Sequence, residues 1–319
     1  MDFSLKQIAE LLQNSSTIII TAHVHPDGDC LGSMLALNEY LSSRGKSVKM
    51  VLDDEVPALY NFLPGYETIG KPTTKIISAD LLVVLDASDI ERIGKVKEHV
   101  NAPILNIDHH ISNTKFADYW YINSQSAATG EIILELLYLL NAKMTPTIAT
   151  CLYTAIATDC GFFRYANTSV QTLRYAADLM EFGANPNSIS EYMETKPLES
   201  ILTLAKVLET LELHHHGKIA TITVSPDTLD TLDSTEGFIN YPRIIEGVEI
   251  AIMFKIMNEG TIRISFRSKT VDVSKLAFSF GGGGHIRAAG CAIIGKIEDV
   301  QKKVLSSAIK QLQLAETLL

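Results

Sequence analysis

The first 185 residues alternate between short aliphatic runs and helical patterns, and this alternation is the feature that most restricts the fold. Strands are predicted at 17–24, 47–52, 80–85 and 103–107, and helices at 4–13, 32–43, 130–140, 147–158 and 169–182. Strands that alternate with helices of this length form a mostly parallel sheet with helices on both faces. The sequence therefore predicts an α/β fold for this part of the chain.

The pattern changes after residue 185. Pro186, Pro197 and a helical stretch mark a connector at 186–211. From residue 212 onward, strand patterns are followed by a short helix, a glycine run and a terminal helix. Because one hydrophobic core rarely grows past roughly 250–300 residues, we expect two domains, at 1–185 and 212–319. The second would be a smaller α+β domain, placed across a cleft from the first.

Charge is distributed unevenly along the chain, which has a net charge of −10. Residues 1–211 contain 15 Lys/Arg and 25 Asp/Glu, so the second part is neutral overall, although the segment 261–287 is basic. An acidic first part suits metal cations and a basic segment suits phosphate groups, although ordinary solvated surface has the same composition. The negative total argues against binding to long duplex nucleic acid.

Several features indicate a cytoplasmic protein. No segment approaches the roughly 18 consecutive apolar residues of a membrane span, and the first residues lack the pattern of an export signal. The four cysteines form no C-x-x-C pair. We therefore expect no membrane partner, no disulfide framework and no structural zinc site.

Carboxylates and imidazoles occur where predicted strands or helices end. These residues are His23, Asp27, Asp29, Asp86, Asp108, His109, His110 and Asp159. The carboxyl ends of parallel strands border one crevice, so most of these side chains should converge. Clustered carboxylates repel one another unless cations bind. Oxygen and nitrogen ligands without thiolates suit Mn²⁺ or Mg²⁺. A single Asp could instead cap a helix or form a turn, but the complete set favours a metal site.

The motifs that contain these residues are HVHPDGDCLGS, VVLDASD, DHH and TDCGFF, and the second domain contains SFRSK and GGGGHIRAAG. Together they resemble the DHH phosphoesterase superfamily and its DHH-associated C-terminal domain over nearly the whole chain. With its compact length, the chain resembles in particular the NrnA-type group of oligoribonucleases and 3′-phosphoadenosine-5′-phosphate (pAp) phosphatases. The resemblance implies two bound divalent metal ions, Mn²⁺ in the first place and Mg²⁺ as the alternative.

The resemblance also implies a role for each matching residue. One metal ion would be bound by His23, Asp27 and Asp86, and the second by Asp29, Asp86, His109 and Asp159. His110 would face the scissile phosphate, and Asp108 would orient an imidazole. The substrate would be bound by Arg267, Lys269, Gly282, Gly283, Gly284 and His285. Arg164 would either contact phosphate or form a structural salt bridge.

The implied reaction breaks the bond between phosphorus and a 3′ oxygen with a metal-activated hydroxide. This reaction would release nucleoside 5′-monophosphates from very short RNA (nanoRNA) and convert pAp to AMP. A cyclic-di-AMP or pApA phosphodiesterase of nucleotide signalling is an alternative, and a non-catalytic nucleotide sensor is another. A RecJ-type exonuclease or a pyrophosphatase fits the length, charge and glycine motif less well. The sequence leaves a homodimer open.

Overall fold

The computed structural model describes residues 1–229, 235, 237–257 and 260–317. The chain divides into an N-terminal unit, Met1–Thr195, and a C-terminal unit, Lys196–Leu319. The division falls inside the connector predicted at 186–211, between two of its helices.

The N-terminal unit contains seven strands and seven α-helices. The strands are β1 (Thr17–Ala22), β2 (Ser47–Met50), β3 (Ile77–Ser78), β4 (Leu81–Leu85), β5 (Val100–Asn101), β6 (Ile104–Asp108) and β7 (Tyr119–Ile122). The helices are α1 (Leu5–Asn14), α2 (Gly28–Ser43), α3 (Val96–His99), α4 (Thr129–Leu139), α5 (Pro146–Asp159), α6 (Val170–Glu181) and α7 (Pro186–Glu194). Short 3₁₀ helices lie at Ala58–Tyr60, Tyr66–Thr68 and Ile90–Ile93.

The central sheet of this unit has the order β2-β1-β4-β6-β7, and all four pairings are parallel. Its inner strands are buried on both faces, which explains their continuous aliphatic runs. Alternate residues such as Ile20 and Val83 pack against the large helices on one face. Ile19 and Val84 pack on the opposite face with Ile93 and Val96. The predicted parallel α/β fold is confirmed.

Two boundaries near the strand ends differ from the prediction. Strand β1 ends at Ala22 because the N–H of Val24 donates to the Arg92 carbonyl instead of continuing the sheet. Helix α2 begins at Gly28, four residues earlier than predicted. The reason is that Asp27 caps it by accepting bonds from the N–H groups of Asp29 and Cys30. Asp29 therefore lies in the first helical turn, where its direction is fixed.

Strand β7 was not predicted. It is a four-residue aromatic and aliphatic run, and periodicity cannot distinguish such a run from packed loop. Its assignment as a strand rests on pairing with β6, in which Tyr121 lies opposite Ile107.

The C-terminal unit has a six-stranded sheet of order β12-β13-β11-β10-β9-β8. The strands are β8 (Glu212–His214), β9 (Ile219–Val224), β10 (Ile250–Ile256), β11 (Thr261–Ser268), β12 (Gly283–His285) and β13 (Ala288–Ile294). The helices are α8 (Leu198–Leu208), α9 (Pro226–Leu229), α10 (Asn240–Ile244), α11 (Val273–Phe278) and α12 (Ile297–Thr317). Only β9 and β10 pair in parallel among the described strands of this sheet. The mixed sheet confirms the predicted α+β class.

Helices α2 and α5 approach each other closely at Gly32. A Cβ at this position would overlap the carbonyl oxygen of Cys151 and lie 2.9 Å from Cβ of Ala155. We predict that Gly32→Ala lowers the free energy of unfolding by about 2 kcal/mol. Backbone overlap of this kind costs about 3 kcal/mol and exceeds the gain of about 1 kcal/mol in helix propensity. Urea denaturation would measure the change.

Gly70→Ala is the matched control, because the nearest atom to its added Cβ would be the carbonyl oxygen of Met50 at 3.7 Å. Its effect should stay within about 0.5 kcal/mol. A Gly32→Ala protein as stable as the wild type would show that the two helices can separate at no cost.

Candidate metal centre

The site is built on the carboxyl ends of three neighbouring strands. Ala22, Leu85 and Ile107 lie side by side in β1, β4 and β6. The residues that follow them are His23, Asp86 and Asp108. Since parallel strands end at the same edge, the register alone brings these three side chains together, as the sequence predicted.

His23 is 4% exposed, and its Nδ1 lies 2.9 Å from the Val24 carbonyl oxygen. This contact makes Nδ1 the protonated nitrogen of the neutral ring and turns Nε2 toward the carboxylates. Nε2 lies 3.5 Å from Asp27 Oδ2 and 3.4 Å from Asp86 Oδ2. Burial of the ring opposes protonation, but Cys30, Asp27 and Asp86 together raise the pKa of His23.

The two carboxylate oxygens of Asp86 face different histidines. Oδ2 faces His23, whereas Oδ1 lies 3.6 Å from His109 Nε2 and 3.5 Å from His110 Nδ1. The hydroxyl of Thr129 donates to Oδ1 at 3.0 Å. The backbone of Asp86 is left-handed, with φ of 57°, a strain of order 1 kcal/mol for a residue other than glycine. Asp86 thus leaves the strand direction to lie between the imidazoles.

The pKa of Asp86 is lowered. Burial of the carboxyl acts in the opposite direction, but the hydrogen bond and the charge of His23 outweigh it, with His109 and His110 contributing. The carboxylate form is therefore favoured at the centre of the cluster.

His109 connects the remaining two carboxylates. Its Nε2 lies 3.9 Å from Asp29 Oδ2 and 3.5 Å from Asp159 Oδ2, while Nδ1 lies 3.2 Å from the Ser126 carbonyl oxygen. Burial raises the pKa of Asp159 to about 7, although His109 lowers it. The imidazole and the two carboxylates thus form a second group beside that of His23.

Asp29 is held by the start of helix α4. Its Oδ2 accepts the N–H of Thr129 at 2.7 Å and its Oδ1 accepts the N–H of Gly130 at 2.8 Å. Burial raises the pKa of Asp29, and the charges of Asp86, Asp159 and Asp27 raise it further. Asp29 therefore takes the capping role that Ala128, just before the helix, cannot fill.

Asp108 contacts the DHH loop, by which we mean His109 and His110, the two residues that follow it. Its Oδ1 accepts the N–H groups of His109 and His110 at 2.8 and 3.2 Å, and lies 2.7 Å from His110 Nδ1. Burial opposes ionisation of Asp108, but its bond to His110 lowers the pKa of the carboxyl. The same pairing, acting against burial of the ring, raises the pKa of His110. Asp108 thereby fixes the orientation of His110.

Sequence reasoning missed the residues that hold these ligands. Thr129 and Gly130 contact ligands far away in the sequence, and Ser126, Asn106 and Asn113 carry no motif of their own. One signal was available, because α4 starts after two alanines without a residue able to cap it. A helix start of this kind indicates a remote cap.

The donor set fits hard divalent cations. Within the described part of the chain, ligand-capable atoms that lie within 4.8 Å of one another form three sets. These are His23, Asp27 and Cys30; Asp86, His109 and His110; and Asp29, His109 and Asp159. Burial raises the pKa of Cys30 to about 12, and all the other members of these sets offer oxygen or nitrogen atoms. Carboxylates that lie this close together are stabilised by bound cations.

Candidate substrate residues of the C-terminal unit lie around β13. Arg267 of β11 and His285 of β12 are both opposite Ala288, so the three side chains point to one face of the sheet. The Arg267 guanidinium donates to the Phe266 carbonyl, and Lys269 Nζ donates to the Ile245 carbonyl at 3.2 Å. Arg267 and His285 therefore lie on either side of Ala288, a residue with a small side chain.

The glycine run has a packing role that the sequence did not indicate. A Cβ at Gly282 would overlap the Gly290 carbonyl oxygen, and one at Gly284 would lie 2.6 Å from the Ala288 carbonyl oxygen. Gly284 also has φ of 138°. Gly283 instead has no atom within 4 Å of its added Cβ. Two of the three glycines thus permit β12 to pack on β13, and Gly283 leaves space beside the backbone.

Arg164 lies in the turn after Asp159, and its Nε donates to the Gly161 carbonyl at 2.8 Å. The partner of the exposed Arg164 side chain in this bond is a backbone carbonyl and not the carboxylate of a salt bridge.

None of the described helices is both long enough and apolar enough to cross a membrane.

Comparison with known proteins agrees with the geometry. The family model of the DHH family, N-terminal domain, matches residues 17–156, and that of the DHHA1 domain matches residues 220–313. The chain is 32% identical over 311 residues to the bifunctional oligoribonuclease and PAP phosphatase NrnA of Thermus thermophilus, covering 97% of this chain and 94% of the relative.

Solved structures share the fold. An exopolyphosphatase-related protein from Bacteroides fragilis has a TM-score of 0.92 and 24% identity, and the match covers 98% of this chain and 97% of the other. RecJ from Thermus thermophilus in complex with Mn²⁺ has a TM-score of 0.52 and 12% identity, covering 95% of this chain and 53% of RecJ. With both family models and a relative matched along nearly its full length, the chain belongs to the DHH family.

Proposed function

We propose that this protein is a metal-dependent phosphoesterase that hydrolyses very short oligonucleotides to nucleoside 5′-monophosphates and pAp to AMP. The observation that carries the proposal is the position of Asp86, whose two oxygens face His23 on one side and His109 on the other. A carboxylate between two groups of ligands is the arrangement that lets two metal ions share a bridge.

The residues of this donor set would hold two divalent cations. His23, Asp27 and Asp86 would hold the first, and Asp29, Asp86, His109 and Asp159 the second. The distances from His23 Nε2 and His109 Nε2 to these carboxylates are 3.4–3.9 Å. Oxygen-rich sets with imidazole favour Mn²⁺ and also accept Mg²⁺. When bound, the ions supply an activated hydroxide and neutralise charge on the phosphoryl group.

His110 is the residue we assign to the reacting phosphate. Asp108 fixes its ring through Nδ1 and also raises its pKa, although burial of the ring opposes protonation. A protonated imidazole held in one direction can stabilise a developing negative charge or donate a proton to the departing 3′ oxygen. Asp108 acts through His110 and the loop amides, and not as a metal ligand.

The substrate class is supported by the relatives. The Thermus thermophilus relative and one from Bacillus subtilis, 28% identical over 287 residues, are both named as bifunctional oligoribonucleases and PAP phosphatases. Short RNA and pAp share an ester bond between phosphorus and a 3′ oxygen. One hydrolytic centre therefore accounts for both activities.

Residues of the C-terminal unit would bind substrate phosphate. Arg267 offers a planar fork for phosphate and Lys269 a point charge. His285 lies on the same sheet face as Arg267, two strands away, or about 10 Å at the usual strand spacing. Ala288 between them has a small side chain, and Gly283 has no atom within 4 Å of its added Cβ. Arg164 is a further candidate contact.

Mn²⁺ should stabilise the protein against heat and denaturant. At 100 times its dissociation constant, a cation that binds only the folded state adds about 2.7 kcal/mol to the free energy of unfolding. Urea denaturation with Mn²⁺ and with EDTA would measure this gain. Asp86→Asn should lose most of it, whereas Asp178→Asn, which removes a carboxylate bonded to Tyr138, should keep it. No gain in the wild type would contradict the metal site.

Asp86→Asn should also reduce kcat for pAp and pApA by at least about a thousandfold, since it removes the bridging charge at the reacting centre. Release of AMP with Mn²⁺ would be compared for the wild type, Asp86→Asn and Asp178→Asn. The panel should include cyclic-di-AMP and RNA of graded length, ranked by kcat/KM. A wild-type protein that binds one of these ligands and hydrolyses none would instead be a nucleotide sensor.

Arg267→Ala should raise KM for pApA by about 10–100-fold, because a charged hydrogen bond to phosphate contributes about 1.5–3 kcal/mol. Binding of Mn²⁺ should be unchanged, since Arg267 is not a ligand. Lys302→Ala, which removes a positive charge from α12 of the same unit, is the control. An unchanged KM for both pApA and pAp would dismiss Arg267 as a substrate residue.

A further inference from the structure

A buried amide lies beneath the metal centre. Asn106 is in the middle of strand β6 and is fully buried. Its Nδ2 donates to the carbonyl oxygens of Val84 and Ala87 at 3.1 and 3.2 Å. Two carbonyl acceptors can be satisfied only by the NH₂ end of the amide, so chemistry fixes its orientation. Asn106 therefore bridges the residues on either side of Asp86.

This bridge lies at the strained turn of Asp86. With φ of 57°, Asp86 turns out of strand β4 directly after Leu85, the last residue of that strand. The Asn106 amide donates to one backbone carbonyl on each side of this turn. The same turn directs Oδ1 and Oδ2 of Asp86 to different histidines. The amide thus stabilises the conformation that places Asp86 between the two ligand groups.

A second amide extends the bridge to the DHH loop. Asn113 Nδ2 lies 2.8 Å from Asn106 Oδ1 and 2.6 Å from Asp108 Oδ2, with the Ala87 carbonyl at 3.3 Å. Its Oδ1 accepts the N–H of Lys115 at 2.7 Å. Asp108 in turn holds the amides of His109 and His110. One hydrogen-bonded network therefore joins the Asp86 turn to the loop that carries His109 and His110.

We propose that Asn106 and Asn113 are positioning residues that set the distance between the two metal subsites. They touch neither metal ligand atoms nor substrate. They fix the two loops that carry Asp86 and His109, which would both bind the second ion. The inference rests on the proposed two-metal function, because a fixed spacing matters only where two ions share a bridge. Substitution should therefore affect the second ion and turnover more than substrate affinity.

The test compares Asn113→Ala and Asn106→Leu with the wild type. Asn113→Ala is the primary variant, because Asn113 is only half-buried and its loss carries little risk of unfolding. Thr154→Val is the matched control. It removes a fully buried hydroxyl from α5 of the same unit, where that hydroxyl donates to the Thr150 carbonyl. Mn²⁺ titration followed by electron paramagnetic resonance distinguishes a coupled ion pair from an isolated ion, and kcat and KM are measured with pAp.

In the wild type and in Thr154→Val we expect two coupled Mn²⁺ ions. In Asn113→Ala the second ion should bind at least about 10-fold more weakly and kcat should fall about 10–100-fold, while KM for pAp changes less than about threefold. Asn106→Leu should show the same pattern more strongly. Wild-type coupling and kcat in Asn113→Ala would overturn the inference alone. Equal losses in Thr154→Val would also overturn it, whereas a wild type without paired Mn²⁺ would overturn the proposed function as well.

Discussion

Carboxylates that lie close together repel one another, and the N-terminal unit is organised around a place where four of them meet. Three of them accept hydrogen bonds from backbone N–H groups or from a hydroxyl. Asp27 accepts two N–H groups at the start of α2, and Asp29 accepts two at the start of α4. Asp86 receives the hydroxyl of Thr129. The positive ends of two helix dipoles therefore face the cluster and offset part of its charge before any ion is bound.

Asp159 is placed differently. It is the last residue of α5, where the helix dipole is negative and opposes a carboxylate. Its main protein contact in the site is the imidazole of His109, which Asp29 and Asp86 also approach. Asp159 is therefore the carboxylate that depends most on a cation. The two groups of ligands therefore differ. In one, His23 lies near two carboxylates, and in the other, His109 lies near three.

The extent to which sequence predicted this site follows from the range of the interactions. His23, Asp86 and the DHH triplet were found because each follows a strand, and parallel strands end together. The start of α2 was misplaced because the helix was predicted from its apolar spacing, whereas the helix begins after the cap at Asp27. Thr129 and Gly130 could not be found by local pattern, since they act on Asp29 about a hundred positions earlier. The packing of the glycines at 282 and 284 against β13 could not be predicted either, because such a packing requirement leaves no local signal.

The bond between Asp29 and the start of α4 has a consequence for how this protein could diverge. Position 29 serves both as a proposed ligand and as the remote cap of a helix, so a descendant that abandoned hydrolysis would still need a hydrogen-bond acceptor there. Among the contacts described, the side chain at position 159 does not cap a helix. Loss of activity in evolution should therefore erase the aspartate at the end of α5 first, and the one in α2 last.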